Sequence, residues 1–256
     1  MTLIAALVFL CTALNGQSSD SIQSFQSLPE VVVNSKAELP VAVTRIEEFE
    51  DSVLISSGYS SLAQMLSNEA DLYVRSYGAG STATISLRGA SSSQTSFTWN
   101  GIPIMHGMLG LQDLSVLPIR MFESVSVQYG GTTAQEGNAS IGGSISLRNN
   151  GRPVNGIGAE LETVLGSFGR YDQFGSIAYG LDRVALRTRV THSQADNNFP
   201  YRPSDQSPEQ NLTNAEYTQT GVMQEVFYAP TDNHQITARV WWQKTDRQIP
   251  PTTVQN

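Results

Sequence analysis

Residues 184–192 read VALRTRVTH, and this stretch decides the fold. Successive side chains of a β-strand point to opposite faces, so one face gathers mostly apolar side chains and the other gathers arginines. The two faces are Val184, Leu186, Thr188 and Val190 on one side, and Arg187 and Arg189 on the other. Buried strands of soluble proteins rarely turn two arginines inward. A wall that is apolar outside and polar inside is what a membrane β-barrel with a wet lumen needs.

Further strand-like segments flank this stretch on both sides. Residues 234–245 also alternate, with Ile236, Ala238, Val240 and Trp242 on one face and Thr237, Arg239 and Gln243 on the other. The other candidate strands are residues 159–166, 171–179 and 216–228. Trp241 and Trp242 suit either an interfacial aromatic girdle or ordinary packing. Residues 151–256 are therefore predicted to form the first strands, about five, of an antiparallel transmembrane β-barrel.

The connections between these segments differ in length. GSFGR, GLDR and APTDNH are short, whereas residues 193–215 form a long stretch that is charged and rich in Pro and Asn. Outer-membrane barrels have short periplasmic turns and longer extracellular loops, so residues 193–215 are predicted to lie outside the cell. Bacterial barrels have an even number of strands, from about eight upward. Five strands cannot close such a barrel, so we expect either a truncated barrel or a protein that is not a membrane barrel.

The N-terminal residues are typical of an exported protein. LIAALVFLCTAL, from Leu3 to Leu14, matches the apolar core of a signal peptide and is too short for a membrane-spanning helix. Residues 1–16 are therefore predicted to be an export signal. Residues 17–37 are predicted to be a flexible tether that contains LPEVVV. The three valines favour an extended segment, which either adds to another protein's sheet edge or forms the first strand of the next domain.

Residues 38–150 are predicted to fold as a compact, mixed α/β domain. LPVAVTRIE at 39–47 alternates as a strand, and Ser60 opens the helical pattern SLAQMLSNEA, with Leu62, Met65 and Leu66 on one face. Strand-like segments follow, separated by Gly, Ser and Asn turns, at residues 71–78, 82–89, 94–101, 122–130 and 139–150.

The composition excludes several classes of function. The formal net charge of −8 argues against nucleic-acid binding, which needs a basic face, although solubility alone would also account for it. Cys11 is the only cysteine and lies in the predicted signal, so the processed chain has no disulfide or thiolate metal site. His106, His192 and His234 lack metal-ligand spacing, and no nucleotide or catalytic signature occurs. Neither an enzyme nor a metal or cofactor is predicted.

Three motifs, in order, resemble those of TonB-dependent outer-membrane receptors. LPEVVV resembles the Ton box, and ISLRGASSSQTSFTWNGIPI resembles the central signature of the plug domain. LSVLPIRMFESVSVQYGGTTAQEGNASIGGSISLRN resembles the last section of the plug. The chain departs from the family at Asn100, where Asp is common, and at residues 135–137, where an aromatic-Gly pair is common. Residues 28–150 resemble the family in their motifs. Residues 151–256 resemble it only in the general pattern of their strands.

The resemblance implies a receptor that imports a scarce large nutrient, a siderophore, haem or cobalamin, through a barrel of about 22 strands filled by the plug. The protein would lie in the lipid of the bacterial outer membrane and bind its nutrient outside. In the periplasm, TonB, with ExbB and ExbD behind it, would bind the Ton box: Leu28, Pro29, Glu30, Val31, Val32 and Val33. The plug's sequence style is closest to that of cobalamin receptors.

The resemblance also assigns roles to residues of the plug. Two glycine-rich apices, Tyr77–Ala83 and Met105–Leu111, should face the substrate, although ordinary turns have the same composition. The substrate-binding candidates are Tyr77, Gly78, Ser81, Thr82, Met105, His106, Met108 and Leu109. The candidates for a structural role are Arg88 and Gly89, with Arg88 making charged hydrogen bonds within the plug, and Asn100 and Gly101, which form a tight turn.

A rival class of function is a secreted or surface adhesin that is rich in β-structure and transports nothing. Such a protein would need no energy-coupling box, so LPEVVV counts against it. Residues 78–83 imitate a dinucleotide-binding fingerprint, but a strand-like segment follows them where that fingerprint requires a helix.

Overall fold

The computed structural model describes most of the chain between residues 45 and 250. The described residues are 45–56, 58–78, 80–108, 110–130, 140–149, 155–204, 207–231 and 233–250. The predicted signal at residues 1–16 and the predicted Ton box at residues 28–33 lie outside the described residues. Within them, a mixed domain that extends to residue 149 is followed by a five-stranded sheet, which we call the wall sheet.

The described part of the mixed domain contains two α-helices and seven strands. They are β1 (Arg45–Glu50), α1 (Asp51–Ser56), α2 (Leu62–Glu69), β2 (Tyr73–Ser76), β3 (Ala83–Ser86), β4 (Thr95–Trp99), β5 (Ile102–Pro103), β6 (Ser124–Tyr129) and β7 (Gly143–Arg148). One sheet has the order β1-β6-β7-β4-β5, in which β4 and β7 are parallel. The strands β2 and β3 form a separate hairpin. The strands predicted within 71–150 are confirmed, while the one predicted at 39–47 is described only from Arg45.

Helix α2 confirms the helical pattern predicted after Ser60, although its N-cap is Ser61. The Ser61 hydroxyl accepts a hydrogen bond from the Gln64 backbone N–H at 3.4 Å, as an N-cap should. Leu62, Met65 and Leu66 are fully buried. They join an apolar core whose other members include Leu54, Phe97, Val125, Val127, Ile145 and Leu147. Burial of each such side chain stabilises the fold by about 1.5–3 kcal/mol, so this stripe holds the helix against the sheet.

The wall sheet consists of five long strands with antiparallel neighbours. They are β8 (Gly156–Leu165), β9 (Tyr171–Leu181), β10 (Val184–Ala195), β13 (Tyr217–Thr231) and β14 (His234–Arg247), in the order β14-β13-β10-β9-β8. The short strands β11 (Pro200–Tyr201) and β12 (Gln210–Asn211) pair within the long connection. All five predicted strands are confirmed, and their ends differ from the sequence prediction by at most three residues.

The outer face of the wall sheet is apolar, and its inner face lies against the mixed domain. Val184, Leu186 and Val190 are 41–44% exposed, whereas Arg187 and Arg189 are buried, so the predicted alternation is confirmed. The arginines point inward, as predicted, and the mixed domain lies in front of them. They form ion pairs with carboxylates of the mixed domain and of β13.

Trp241 and Trp242 point to opposite faces of β14. The Trp241 ring packs edge-on against Trp99 and Phe122, with ring centres 5.6 and 5.5 Å apart. Trp242 lies on the apolar outer face and is 54% exposed. Ordinary packing therefore accounts for Trp241, while Trp242 remains a candidate for an aromatic girdle.

The wall sheet has two distinct ends. At one end, which we call the loop end, β8, β10 and β14 terminate and the long connection leaves the sheet. At the other, the turn end, residues 182–183 join β9 to β10, and Thr231 at the end of β13 pairs with His234 at the start of β14. Among the described residues, no helix combines the length and the apolar character needed to cross a membrane.

Candidate ligand-binding site

The first predicted apex is the loop of the β2–β3 hairpin. The Tyr77 N–H donates to the Thr82 carbonyl at 3.2 Å, and the Ser81 N–H donates to the Gly78 carbonyl at 3.1 Å. The Tyr77 side chain is 58% exposed. The Arg75 guanidinium lies 5.0 Å from the centre of the Tyr77 ring. The loop is therefore closed by its own backbone and presents an aromatic side chain at its surface.

Gly80 brings this loop against the wall sheet. A Cβ atom at Gly80 would lie 2.2 Å from the ring of Tyr217 on β13, and the φ angle of Gly80 is +72°. Only glycine permits both the backbone conformation and the close approach. The first apex is thus seated at the loop end of the wall sheet.

The second predicted apex follows β5. The Gly110 N–H donates to the His106 carbonyl at 2.9 Å, and the His106 N–H donates to the Leu111 carbonyl at 3.2 Å. His106 is exposed, and Met108 is 92% exposed. Met105 instead packs against the core of the mixed domain. Leu109 lies outside the described residues. Two of the four predicted ligand contacts of this apex are therefore accessible in the structure.

Asp113, which follows the second apex in the chain, bonds the first apex to the wall sheet. One carboxylate oxygen accepts hydrogen bonds from the Ala83 N–H at 3.0 Å and from the Ser115 hydroxyl at 2.7 Å. The other pairs with Arg247, at the end of β14, at 2.8 Å. Sequence reasoning did not single out Asp113. The Asp-x-Ser pattern indicated a turn cap there, but the bond to Ala83 depends on tertiary structure.

A cleft of about 300 Å³, which we call the apex cleft, lies between the first apex and the loop end of the wall sheet. The first apex contributes Gly78, Gly80 and Ser81. The wall sheet and its connections contribute Ser193, Tyr217 and other residues. Of the predicted ligand contacts, the structure brings Gly78 and Ser81 to this cleft, while His106 and Met108 belong to the separate second apex.

Comparison with known proteins identifies the mixed domain. Residues 35–144 match the family described as the TonB-dependent Receptor Plug Domain. The chain carries a TonB-dependent receptor plug domain. The vitamin B12 transporter BtuB of Photobacterium profundum is 28% identical over 171 residues, which are 65% of this chain and 27% of that transporter.

Solved receptor structures resemble the chain beyond its plug domain. The copper transporter OprC has a TM-score of 0.66 at 16% identity, and the siderophore receptor PiuA from Acinetobacter baumannii has 0.63 at 18%. Each likeness covers 79% of this chain, which is more than the plug domain alone, and 31% and 26% of the respective receptor. The fold is therefore that of a plug followed by antiparallel strands of a TonB-dependent receptor barrel. The chain spans about a quarter to a third of the length of these relatives.

One segment of the plug domain, residues 113–123, runs along the wall sheet from the loop end towards the turn end. Below the Asp113 contact, the Val116 carbonyl accepts hydrogen bonds from the side-chain amides of Gln219, at 2.6 Å, and of Gln243. Arg120 then pairs with Glu162 of β8 at 2.9 Å and also with Glu160. The segment pins the plug domain to the wall over several strands.

Nearer the turn end, this segment reaches a buried cluster of charges. Glu225 of β13 is fully buried and pairs with Arg189 at 2.6 Å, with Arg239 at 3.0 Å and with Arg187 at 3.7 Å. Glu123 of the plug domain pairs with Arg189 at 2.5 Å and also with Arg187. Three guanidinium groups of the wall sheet therefore share the Glu225 carboxylate, and two of them, those of Arg187 and Arg189, also pair with Glu123 of the plug.

Asn100 and Gly101 form the predicted tight turn, and Asn149 holds it in place. Both turn residues have positive φ angles, +47° and +82°, as a two-residue type I′ hairpin turn requires. The Asn100 side-chain oxygen accepts a hydrogen bond from the Asn149 N–H at 3.0 Å. The buried Asn149 side chain also accepts from the Trp99 indole and donates to the Met121 carbonyl, each at 2.7 Å. Sequence reasoning did not single out Asn149, whose partners are distant in sequence.

Arg88 and Gly89 lie in the turn after β3, at φ angles of +50° and +78°. Arg88 is exposed, and no charged hydrogen bond joins its side chain to another described residue. The prediction that Arg88 ties the plug together thus finds no support among these residues. Gly89 occupies a turn position that needs a positive φ.

The first strand of the plug domain is anchored at its beginning by a second polar cluster. The Tyr129 hydroxyl donates to Glu47 at 2.6 Å, and Arg45 pairs with Asp71 at 2.8 Å. Burial, followed by the hydrogen bond to Glu47, raises the pKa of the Tyr129 phenol. The hydrogen bond to Asp71 raises the pKa of Arg45. In the part of the chain that the structure describes, no group of three or more His, Cys, Asp or Glu is arranged to hold a metal ion.

Proposed function

We propose that the chain forms the plug and first barrel strands of a TonB-dependent receptor that imports a scarce, large nutrient across the bacterial outer membrane. The observation that carries this proposal is the plug domain, pinned across the inner face of the wall sheet through residues 113–123. A ligand bound at the loop end cannot diffuse past a plug held in this way. Import therefore requires a source of energy that moves the plug.

The proposed energy-coupling segment is the Ton box at Leu28–Val33, which binds TonB, with ExbB and ExbD behind it. This segment precedes the matched plug family region, which begins at residue 35. An extended, valine-rich segment on a tether suits pairing with a sheet edge of the partner, because backbone hydrogen bonds then carry the affinity.

The proposed location is the lipid of the outer membrane, with the loop end facing outward. The apolar outer face of the wall sheet supports this location, since lipid-facing positions of barrel strands are apolar. The long connection between β10 and β13 leaves at the loop end, and longer loops of such barrels are extracellular.

The proposed substrate is a siderophore, haem or cobalamin, and we favour cobalamin. The curated relative is a vitamin B12 transporter, whereas the similar solved structures include a copper transporter and a siderophore receptor. The predicted contacts lie on the two apices, Tyr77–Ala83 and Met105–Leu111, and they remain predictions: Tyr77, Gly78, Ser81, Thr82, Met105, His106, Met108 and Leu109.

Uptake measurements in intact cells test the proposal. Cells that produce the complete receptor should accumulate labelled cobalamin, and deletion of TonB should abolish accumulation while surface binding persists. Equal accumulation with and without TonB would refute energy-coupled import. A surface adhesin, the alternative class, would support neither binding nor uptake of the nutrient.

A further inference from the structure

The apex cleft is lined almost entirely by uncharged groups. Among the described lining residues, Arg170 alone carries a charge. Its guanidinium donates to Asp172 at 2.7 Å and to the Gly58 carbonyl at 2.9 Å, so its charge is compensated and two of its donors are engaged. Arg247, beside the cleft, is likewise paired with Asp113. An anionic ligand would therefore find no uncompensated cation in the described lining.

Several hydroxyl groups of the cleft use their protons within the protein. The Ser76 hydroxyl donates to the Gly78 carbonyl at 3.2 Å, and the Ser60 hydroxyl donates to the Gln64 side chain at 3.1 Å. The Ser115 hydroxyl donates to Asp113 at 2.7 Å. A hydroxyl oxygen whose proton is engaged still has lone pairs that accept hydrogen bonds. These positions offer acceptors to a ligand.

Tyr217 belongs to the same pattern. The Ser193 hydroxyl donates to Asp172, so the Tyr217 hydroxyl, 3.2 Å from the Ser193 oxygen, is left to donate to Ser193. The Tyr217 oxygen then keeps lone pairs that can accept hydrogen bonds from a ligand. Phe168 and Phe199, which pack edge-on with ring centres 5.9 Å apart, add an apolar wall. The cleft combines hydrogen-bond acceptors with aromatic surface and lacks an uncompensated charge.

We propose that the apex cleft binds an uncharged ligand that carries N–H or O–H donors, such as a corrinoid with side-chain amides or an oligosaccharide, and does not select anionic iron chelates. This inference rests on the proposed receptor function. Neutral donors satisfy the acceptors of the cleft without loss of a charge's hydration, whereas an anion would lose its hydration with no uncompensated cation in the described lining to replace it.

Binding to the complete receptor, purified in detergent, tests the proposal by calorimetry with three probes. They are cyanocobalamin, maltohexaose and ferric enterobactin, which are an amide-bearing neutral ligand, a hydroxyl-bearing neutral ligand and an anionic iron chelate. We expect one neutral probe to bind, with a Kd that changes less than about twofold between low and high salt, because screening acts on charges. The neutral probe that binds distinguishes amide donors from sugar hydroxyls.

Matched substitutions test whether the cleft is the site. Tyr217→Phe keeps the ring against Gly80 and removes one acceptor, so it should weaken binding about five- to tenfold. Ser81→Ala should also weaken binding. Tyr228→Phe removes a hydroxyl from the same strand on its outer face and should leave Kd unchanged, as should Ser93→Ala in a short 3-10 helix at the surface. Equal affinities of Tyr217→Phe, Ser81→Ala and the unsubstituted receptor would overturn the assignment.

The probes separate failure of this inference from failure of the proposed function. Tight, salt-sensitive binding of ferric enterobactin with TonB-dependent uptake would overturn the inference and leave the transport proposal standing. Binding of a neutral probe at the cleft with TonB-independent uptake would support the inference and refute energy-coupled import. Failure of both neutral probes to bind would overturn the inference, whatever the uptake measurements give.

Discussion

The substitution Glu225→Gln should strongly destabilise the wall sheet and its contact with the plug domain. The Glu225 carboxylate is fully buried and accepts direct bonds from Arg189 and Arg239 at 2.6 and 3.0 Å. Glutamine has nearly the same shape but no charge. The change therefore isolates the carboxylate's charge from its packing.

The structure gives the magnitude in two ways. Hydrogen bonds to charged groups contribute about 1.5–3 kcal/mol each, and two direct bonds to Glu225 would be lost or weakened. Removal of one partner from a buried ion pair costs about 3–5 kcal/mol, because the remaining charges stay buried without compensation. Arg187 and Arg189 would then keep only Glu123 as an ion-pair partner, and Arg239 would have no carboxylate partner among the described residues. We expect a loss of about 3–5 kcal/mol in the free energy of unfolding.

Denaturant unfolding of the complete receptor in detergent, followed by tryptophan fluorescence, measures this loss. Trp241 of the wall sheet contacts Trp99 and Phe122 of the plug domain, so its emission reports on their separation. Arg202→Gln is the matched control, since Arg202 and Glu209 are about 60% exposed and 3.5 Å apart. The control should leave the midpoint unchanged, because exposed ion pairs contribute little.

A double-mutant cycle tests the contribution of the plug domain to the cluster. Glu123→Gln and Arg189→Gln should show a coupling free energy of at least about 1 kcal/mol, because the two groups are 2.5 Å apart. A loss below about 1 kcal/mol for Glu225→Gln would refute the reasoning about burial. A coupling near zero would refute the ionic contact between plug and wall.

Three further predictions concern single positions. Gly80→Ala should reduce the thermal midpoint and ligand affinity more than Gly89→Ala, because both have positive φ but only at Gly80 would the Cβ overlap the Tyr217 ring; equal effects would contradict this. Val32→Pro should abolish uptake without lowering surface binding, because proline removes a backbone donor from the Ton box; unchanged uptake would contradict the assignment. A peptide tag inserted near Gln206 should be labelled on intact cells, and failure to label would contradict the outward orientation of the loop end.

The wall sheet was predictable because its signal is local. Alternation along 184–192 and 234–245 assigns each side chain to a face without knowledge of any distant residue. The partners of the inward arginines were not predictable in the same way. Glu123 lies 64 residues from Arg187, and alternation carries no information about which domain fills the space in front of a strand.

The candidate site was predictable only in part for a related reason. Family motifs located the two apices, and the Asn-Gly pair located a turn through its backbone preference. Asp113 and Asn149 act through backbone groups that are distant in sequence, such as those of Ala83 and Met121. Any residue supplies a backbone N–H or carbonyl, so such contacts leave no residue-type signature in the sequence.

The contacts between plug and wall differ in kind from those inside the plug. Wall side chains mostly donate to acceptors of the plug, as Gln219 does to the Val116 carbonyl and Arg239 does to the Asn149 carbonyl. Water can replace each of these bonds, so a neutral bond such as that of Gln219 contributes only about 0.5–1.5 kcal/mol net, and a charged bond such as that of Arg239 about 1.5–3 kcal/mol. The apolar core of the plug has no such substitute, since each buried side chain contributes about 1.5–3 kcal/mol by leaving water. Water can also replace the contacts of the buried charge cluster. When the plug separates from the wall, water reaches the arginines, whereas substitution of Glu225 leaves them buried with one carboxylate fewer. The neutral contacts of the plug with the wall are therefore weaker, one for one, than the apolar contacts of its core, as the proposed movement of the plug during import requires.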